Sequence, residues 1–259
     1  MSQISKSVSS VPRFSPLRIR VFDTCRLRYR YQYLDRVPAK LRPQDTAGSL
    51  LLHRVLCDFF SKVPMAERDE QRLVRMFEDG WEALSPRYRR MKGVEKLRDK
   101  SLAQLRMFAQ QHDLSARPLL VEPYFQVEVA PQVTLFGRVD RIDEEAAGTL
   151  HVIDYKTGSH ADEVDAKQLR LYAIMAEKSL GKPVTKTSFW HLDDGDTWME
   201  DFSDEQRRLS HSELLEAVKQ MQSITDFPPN VGQHCGHCPY LHACSARDEI
   251  QRRRLAEGW

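Results

Sequence analysis

An α/β fold with a mixed central sheet flanked by helices is predicted from the order of apolar and polar segments. Two apolar runs, residues 134–140 and 150–156, are joined by a short polar segment that ends on Gly148, which is typical of a β-hairpin. A helical pattern over 162–180 and another apolar run over 184–192 follow. A strand–helix–strand connection of this length pairs its two strands in parallel, so the sheet should contain both strand directions.

Helices are predicted on the N-terminal side of this sheet. Residues 16–34 should form one helix with Cys25 near its start, and residues 47–60 a second helix. The second helix carries an apolar stripe at helical spacing, formed by Leu52, Val55, Leu56, Phe59 and Phe60. Residues 62–116 are charged but rich in Leu, Met and Phe, which predicts a helical insertion held down by Phe77 and Trp81.

The chain length of 259 residues fits one substantial core with a small appendage. We expect a flexible N-terminus over 1–12 and a single domain over 13–259. A strand over 119–129 should open the sheet, a helix over 203–225 should follow its last strand, and a cysteine-rich segment over 226–248 should form a C-terminal lobe.

The formal charge is only +2, with 39 basic and 37 acidic residues, so the whole-chain charge does not indicate a nucleic-acid-binding protein. The distribution is more informative. A basic stretch over 18–42 is interleaved with Tyr29, Tyr31 and Tyr33, which suits phosphates and stacked bases. A second basic run, 87–100, fits either a nucleic-acid surface or a solvated helix face.

The N-terminal residues are rich in Ser and contain no apolar core of a signal peptide, and no 18 apolar residues occur in a row. These features predict a soluble, cytoplasmic protein without a membrane segment.

Each arm of the predicted hairpin ends in a carboxylate. Antiparallel pairing would bring Asp140 and Asp154 to adjacent positions on one sheet face. Two carboxylates with a nearby main-chain carbonyl form a hard oxygen site that suits Mg²⁺ or Mn²⁺. Strand alternation places Lys156 on the same face as Asp154, where an ammonium could help to activate water for attack on a phosphodiester. Taken alone, an Asp-x-Lys at a strand end is more often a solvated ion pair.

Together with two further motifs, this region resembles the PD-(D/E)xK nuclease superfamily in its RecB-like exonuclease branch. The motifs are, in chain order, Gly137-x-x-Asp140, Asp154-x-Lys156 and Gln168-x-x-x-Tyr172. Val139 stands where the superfamily name has Pro. The resemblance implies a restriction-endonuclease-like core and a Mg²⁺- or Mn²⁺-dependent DNA exonuclease that acts on single-stranded ends. DNA repair, recombination and CRISPR-type processing are the implied settings.

The resemblance also implies roles for individual residues. The metal ligands would be His53, Asp140, Asp154 and the main-chain carbonyl of Tyr155. Lys156 would position or activate the attacking water, and Gln168 and Tyr172 would orient DNA. Glu122 matches a Glu often found upstream of the Gly-x-x-Asp motif, and its role is left open.

Three of the five cysteines, Cys235, Cys238 and Cys244, follow the spacing C-x₂-C-x₅-C. Thiols in a cytoplasmic chain stay reduced, so disulfides are not expected and a metal site is. Cys25 is the candidate for a fourth ligand. Zinc would accept four cysteines, or three with a histidine of the same segment, whereas an iron–sulfur cluster prefers four thiolates.

The iron–sulfur subset of RecB-like nucleases, which includes AddB-type and CRISPR-associated exonucleases, has the same arrangement of one early and three late cysteines. Pro follows the second of the late cysteines there, as in Cys238-Pro239. The resemblance therefore implies a [4Fe–4S] cluster bound by Cys25, Cys235, Cys238 and Cys244, with Zn²⁺ as the alternative. Cys57 would be a small buried hydrophobic residue.

Two other functions remain open from the sequence. One is a DNA-binding or assembly subunit that keeps the fold without cutting, and the other is a zinc-stapled protein in which the Asp-x-Lys is incidental. No G-x-x-x-x-G-K-[ST] motif occurs, so a helicase or a larger nucleoprotein complex would have to be supplied by separate chains.

Overall fold

The computed structural model describes residues 12–40, 43–157 and 166–259, without the side chains of 43–46. Of the predicted flexible N-terminus, all but Pro12 lies outside the described residues.

The strands in the described ranges are β1 Arg13–Phe14, β2 Leu120–Val121, β3 Tyr124–Ala130, β4 Val133–Arg138, β5 Arg141–Glu144, β6 Leu150–Lys156, β7 Val184–His191 and β8 Thr197–Asp201. The division into one domain with a helical insertion stays a prediction.

The same residues form α-helices that flank the strands. These are α1 Pro16–Thr24, α2 Arg26–Tyr29, α3 Pro43–Lys62, α4 Glu70–Glu82, α5 Pro86–Arg89, α6 Val94–Gln111, α7 Ala166–Leu180, α8 Asp204–Ser223 and α9 Arg247–Glu257. The predicted start of α7 at 162 lies outside the described residues. No helix among those described is long and apolar enough to cross a membrane.

The strands form a five-stranded sheet of order β2-β5-β6-β7-β8 and a three-stranded sheet of order β1-β4-β3. In the larger sheet β6 pairs antiparallel with β5 and parallel with β7. The helix α7 makes the crossover between the two parallel strands. The predicted mixed α/β fold, with sheets flanked by helices, is therefore confirmed.

The hairpin has a different first arm from the predicted one. Residues 134–138 belong to β4 and pair with β3 in the smaller sheet, whereas β5 pairs with β6 with Arg141 opposite Ile153. The chain changes sheets at Val139, whose fully buried side chain joins the core. Asp140 consequently lies at the start of β5, beside the end of β6, so the two predicted carboxylates still meet.

The predicted strand over 119–129 is also divided between the two sheets. It breaks at Glu122, which has φ 48°, and at Pro123, which has no N–H to donate to a ladder. The N–H of Glu122 donates to the carbonyl of Asp140 at 2.8 Å, and that of Val139 to the carbonyl of Pro123 at 3.1 Å. Both strands therefore change sheets at one point, close to Asp140.

The prediction of one helix over 16–34 is wrong. Cys25 is extended, with φ −160° and ψ 114°; it ends α1 and caps α2 by accepting the N–H of Arg28. A π-helical turn, Arg30–Leu34, follows α2. The prediction that three tyrosines offer stacking surfaces fails for Tyr29, which is buried in the core against Phe22.

Two apolar clusters cover the faces of β6. Leu150 and Val152 join a cluster with α1, α7 and α8, and Ile153 and Tyr155 join one with α3, α4 and α6. The predicted stripe of α3 lies in the second cluster, which consists in part of Leu52, Val55, Leu56, Phe59, Phe60, Phe77 and Trp81. Because β6 is covered on both faces, the polar residues at its C-terminal end are held in a dry environment.

The basic run over 87–100 behaves as a helix surface with ion pairs. Arg89 pairs with Glu82, Arg98 with Glu78 and Lys100 with Asp193, in contacts that join α4, α5, α6 and the β7–β8 turn. These three cations are engaged within the protein, which favours the solvated helix face over a nucleic-acid surface.

Candidate functional site

Asp154 and Lys156 form a buried ion pair at the end of β6. Asp154 Oδ2 lies 2.8 Å from Lys156 Nζ, and the two residues are only 6% and 8% exposed. Alternation along the strand puts both side chains on the face toward α7, as predicted. A lone buried charge is costly, so each group stabilises the other in its charged form. Lys156 Nζ also lies 4.8 Å from the ring centroid of Phe189.

Asp140 is held beside this pair by two groups. Its Oδ2 accepts the main-chain N–H of Tyr155 at 2.8 Å and lies 3.4 Å from His53 Nδ1 on α3. Burial would lower the pKa of His53, but the hydrogen bond to Asp140 and the charges of Asp140 and Asp154 raise this pKa above its ordinary value. Of the predicted metal ligands, His53 and Asp140 are thus in contact and the charge of Asp154 acts on His53, but within the described residues these side chains are not arranged to hold a metal ion. Tyr155 contributes its N–H to Asp140.

The two carboxylates repel each other. Burial, and next the charge of Asp140, raise the pKa of Asp154 to about 6, although Lys156 opposes the shift. A divalent cation between the carboxylates would relieve this repulsion, and carboxylate oxygens with an imidazole are donors that Mg²⁺ and Mn²⁺ accept. The residues present therefore fit a divalent cation.

Gln168 and Tyr172 extend the site onto α7. They lie one turn apart, and Gln168 Nε2 donates to Tyr172 Oη at 3.0 Å. Lys156 Nζ donates to Gln168 Oε1 at 3.5 Å, which links both residues to the strand. Burial, followed by the charge of Asp154, raises the pKa of Tyr172, so its hydroxyl stays protonated. The predicted catalytic residues form one connected group.

Glu122, whose role the sequence left open, lies at the edge of this group. Arg138 Nη1 donates to its carbonyl at 3.0 Å and pairs with its carboxylate at 3.6 Å. The charge of Glu122 contributes to the raised pKa of His53. It therefore belongs to the electrostatic surroundings of the carboxylates.

Arg141 is a supporting residue that the sequence analysis missed. It is 2% exposed, makes two 2.7 Å contacts with Asp143, and lies between the rings of Phe60 and Trp190 at 4.5 and 5.1 Å from their centroids. Because it follows Asp140 directly, this anchor fixes the start of β5. The Arg-x-Asp spacing, with both residues on one strand face, was the available signal.

The four predicted cluster ligands meet at the C-terminal end of α1. Cys25, Cys235, Cys238 and Cys244 line one cavity. Cys25 Sγ accepts the main-chain N–H of Asn230 at 3.5 Å, so the early cysteine contacts the late segment directly. We name these four cysteines with residues 226–248 the cysteine lobe. Cys57 lies apart on α3, where its Sγ is outside this cavity.

Further contacts tie the cysteine lobe to the N-terminal segment. Tyr31 Oη donates to the carbonyl of Ala243 at 2.8 Å, and the N–H of Lys40 donates to the carbonyl of Pro239 at 2.9 Å. Burial raises the pKa of Cys235 and of Cys238, so both thiols are protonated in this arrangement. Nowhere in the described ranges are three or more His, Cys, Asp or Glu side chains arranged to hold a metal ion.

Comparisons with known proteins find one matching family model and similar solved structures. The model of the PD-(D/E)XK nuclease superfamily matches residues 13–245. A solved structure named "Putative exonuclease", from Eubacterium rectale, has a TM-score of 0.51 and 11% identity, and the match covers 92% of this chain and 93% of that one. For the solved structure of SSO0001 the TM-score is 0.39 and the identity 14%, over 77% of this chain and 96% of that one. No curated protein matches the sequence.

At such identities the likeness to solved structures concerns the fold alone. The family match is stronger, because it spans the strands, the crossover helix and both cysteine segments. It also confirms the predicted restriction-endonuclease-like core. The chain belongs to the PD-(D/E)XK nuclease superfamily.

Proposed function

We propose that the protein is a divalent-metal-dependent DNA exonuclease of the RecB-like branch that acts on single-stranded ends. The observation that carries the proposal is the buried Asp154–Lys156 pair beside Asp140, in a member of a nuclease superfamily. Nucleases of this superfamily generally use divalent metals such as Mg²⁺. A non-cleaving subunit would have no need for a buried lysine and two crowded carboxylates, which destabilise the fold.

Asp140 and Asp154 would hold Mg²⁺ or Mn²⁺, with His53 and the carbonyl of Tyr155 as further ligands. The bound ion would supply positive charge to the phosphate and favour deprotonation of water. The raised pKa of Asp154 supports this assignment, because the carboxylates are crowded in a way that a cation relieves.

Lys156 would hold the attacking water. An ammonium has three protons to donate, and here two directions are taken by Asp154 at 2.8 Å and Gln168 at 3.5 Å. The third remains for the water or for a phosphate oxygen. In the reaction the water oxygen bonds to phosphorus, the bond from phosphorus to the leaving sugar oxygen breaks, and that oxygen takes up a proton.

Gln168 and Tyr172 would position the strand. Tyr172 Oη accepts a hydrogen bond from Gln168, so its own proton is available to a phosphate oxygen. Because both residues are buried and linked to Lys156, a strand bound to Tyr172 would be held in register with the lysine.

The cysteine lobe would bind a [4Fe–4S] cluster through Cys25, Cys235, Cys238 and Cys244, with Zn²⁺ as the alternative. The shared cavity and the contact between Cys25 and Asn230 support this assignment. Metal binding would replace the thiol protons and draw the sulfur atoms to ligand distance. The cluster would staple the N-terminal and C-terminal parts of the chain.

The finer features of the function rest on the family resemblance. These are the preference for single-stranded ends, a role in repair, recombination or CRISPR-type processing, cooperation with a separate helicase or nucleoprotein complex, and a cytoplasmic location.

End-labelled linear strands and circular single strands test the proposal, each incubated with Mg²⁺, Mn²⁺ or a chelator. Linear strands should be shortened progressively from an end only when a divalent ion is present, while circles persist. Cleavage of circles at the linear rate would overturn the exonuclease assignment. Absence of any cleavage with either ion would overturn the nuclease function.

A further inference from the structure

A first basic cavity lies between α1 and the cysteine lobe. It has a volume of about 290 Å³, and its charged and titratable lining consists of Arg20, Arg28, His234 and His237. No Asp or Glu lines it, although the whole chain has nearly as many acidic as basic residues. Two arginines of the N-terminal segment thus face two histidines of the cysteine lobe across this cavity.

A second basic cavity adjoins the first one. It measures about 420 Å³ and is lined by Lys40, His237, His242, Arg247 and Arg254, again without Asp or Glu. His237 lines both cavities, so they form one continuous surface. Arg247 and Arg254 lie two turns apart on the same face of α9 and are exposed, as is Lys40.

The first cavity is lined on one side by α1, the helix that contacts α7. Arg20 lies on α1, which is joined to α7 by a 2.6 Å contact between Asp23 and Lys167. The charge of Arg20 acts on the hydroxyl of Tyr172, where it opposes the effect of burial. The basic lining therefore extends from Arg20 on α1 over the cysteine lobe to α9.

This path differs from the basic run over 87–100, where Arg89, Arg98 and Lys100 are paired with carboxylates. Within the part of the chain that the structure describes, Lys40 and Arg247 make no ion pair with a carboxylate. Positive charges that are exposed and unneutralised attract an anionic polymer, and two adjoining cavities suit several phosphates in a row.

We propose that these two cavities, called here the basic strip, bind the phosphates of the DNA strand that extends beyond the active site. This inference rests on the proposed nuclease function and adds a substrate-binding role for the cysteine lobe. Because His234 and His237 lie in the cysteine segment, the conformation set by the cluster would also set the shape of the strip.

The test uses a triple variant, Lys40→Gln, Arg247→Gln and Arg254→Gln, in a catalytically inactive Asp154→Asn background. Its matched control is Arg72→Gln, Arg75→Gln and Lys178→Gln, three exposed cations that line neither cavity. Both variants lose the same charge, so a general electrostatic effect would be equal in both. Affinity for a labelled single strand is measured by fluorescence anisotropy over a range of salt concentrations.

The strip variant should bind a single strand at least about tenfold more weakly at low salt. The slope of the logarithm of the binding constant against the logarithm of the salt concentration should become shallower by about 2, because each of the three lost phosphate contacts contributes roughly 0.7. The control should keep the slope of the parent protein. Equal slopes in all three proteins, or equal losses in both variants, would overturn the strip. Failure of the wild-type protein to cut single strands, together with failure of its Asp154→Asn form to bind them, would overturn the nuclease function as well, which separates the two failures.

Discussion

The candidate active site and the cysteine lobe position their side chains by different means. In the active site Asp154 and Lys156 are two residues apart and lie on the same face of a strand that is paired on both sides. Gln168 lies one turn from Tyr172 on a helix. In the cysteine lobe the three late cysteines lie at short 3₁₀ turns, Gln233–His237 and Leu241–Ala243, and Cys25 lies between α1 and α2.

The difference has an energetic consequence. The active site is preorganised by the fold, which bears the cost of burying repelling carboxylates. The cysteine lobe would take its final shape from the metal, so metal binding there would also be folding energy. Substitutions should therefore cost activity in the first region and stability in the second.

The largest effect is expected from Asp154→Asn. Loss of a charged ligand should lower cleavage about a thousandfold, or ~4 kcal/mol, since metal assistance is worth several kcal/mol. The melting temperature should change little, because the repulsion from Asp140 and the attraction to Lys156 are lost together. Glu144→Gln, on the same hairpin but exposed, is the matched control and should cleave normally. Equal activities of the two variants would remove Asp154 from the site.

Lys156→Ala should lower turnover about a hundredfold, which is the usual range for a positioned proton-transfer group. Its ammonium is not a metal ligand, so Mn²⁺ affinity, measured by calorimetry at alkaline pH, should persist. Lys178→Ala on the exposed part of α7 serves as the control. A variant that regains full activity at high Mn²⁺ would show that the lysine acts only through metal binding.

Cys25→Ser tests the cysteine lobe in a specific way. Serine retains the side-chain acceptor that caps α2, so the helix should survive while the thiolate is lost. Iron and sulfide content should fall, and the melting temperature should drop by roughly 10 °C, corresponding to about 3 kcal/mol.

The comparison variant is Cys57→Ser, which changes a thiol outside the lobe and should retain the cluster. Full iron content in the Cys25 variant with loss in the Cys57 variant would reverse the assignment. Zinc as the sole metal in every preparation would rule out the iron–sulfur cluster.

The smallest effect concerns the aromatic layer behind β6. His112 stacks on Trp190 with ring centroids 4.0 Å apart, and burial followed by the charge of Arg141 lowers its pKa from 6.5 to about 4. The unfolded chain therefore binds the proton more tightly. The stability contributed by neutral His112 is present above pH 6.5 and is lost as the pH falls toward 4.

Because this ring is partly solvated, the loss should be on the order of 1 kcal/mol. His112→Phe should abolish this part of the pH dependence while it keeps the stack. Melting curves of the two proteins across this pH range provide the measurement, and other histidines cancel in the difference. Parallel curves for both proteins would contradict the assignment.

The faces on which the active-site side chains lie could be predicted from the sequence, because they follow from the local periodicity of a strand and a helix. Alternation on β6 and the helical turn on α7 depend only on neighbours in the chain, so Lys156 was predicted on the face of Asp154 and Tyr172 on the face of Gln168. That the two pairs belong to one site was implied by the family resemblance. Their catalytic roles stay a prediction. The strand pairing of β4 could not be predicted from the sequence, because the change of sheet at Val139 depends on packing against residues that are distant in the chain.

The helix over 16–34 was mispredicted for a related reason. Its residues have helical spacing throughout, and the break at Cys25 arises from a tertiary contact with Asn230. The edge strand β8 and the helix α9 were missed because neither has an apolar pattern: β8 is half exposed, and only Ile250 is buried in α9. Arg141 was missed because a buried arginine is rare and its aromatic neighbours come from remote segments.

The contact between Cys25 and the cysteine lobe has a consequence for the order of events during synthesis. Between Cys25 and Cys235 lie 209 residues, which a ribosome adds in roughly 10 to 40 s at about 5–20 residues per second. For that interval the break between α1 and α2 has no partner. The N-terminal segment, which reaches Tyr172 through Arg20, can settle only after the last cysteines emerge. Completion of the active site is thereby coupled to synthesis of the cysteine lobe.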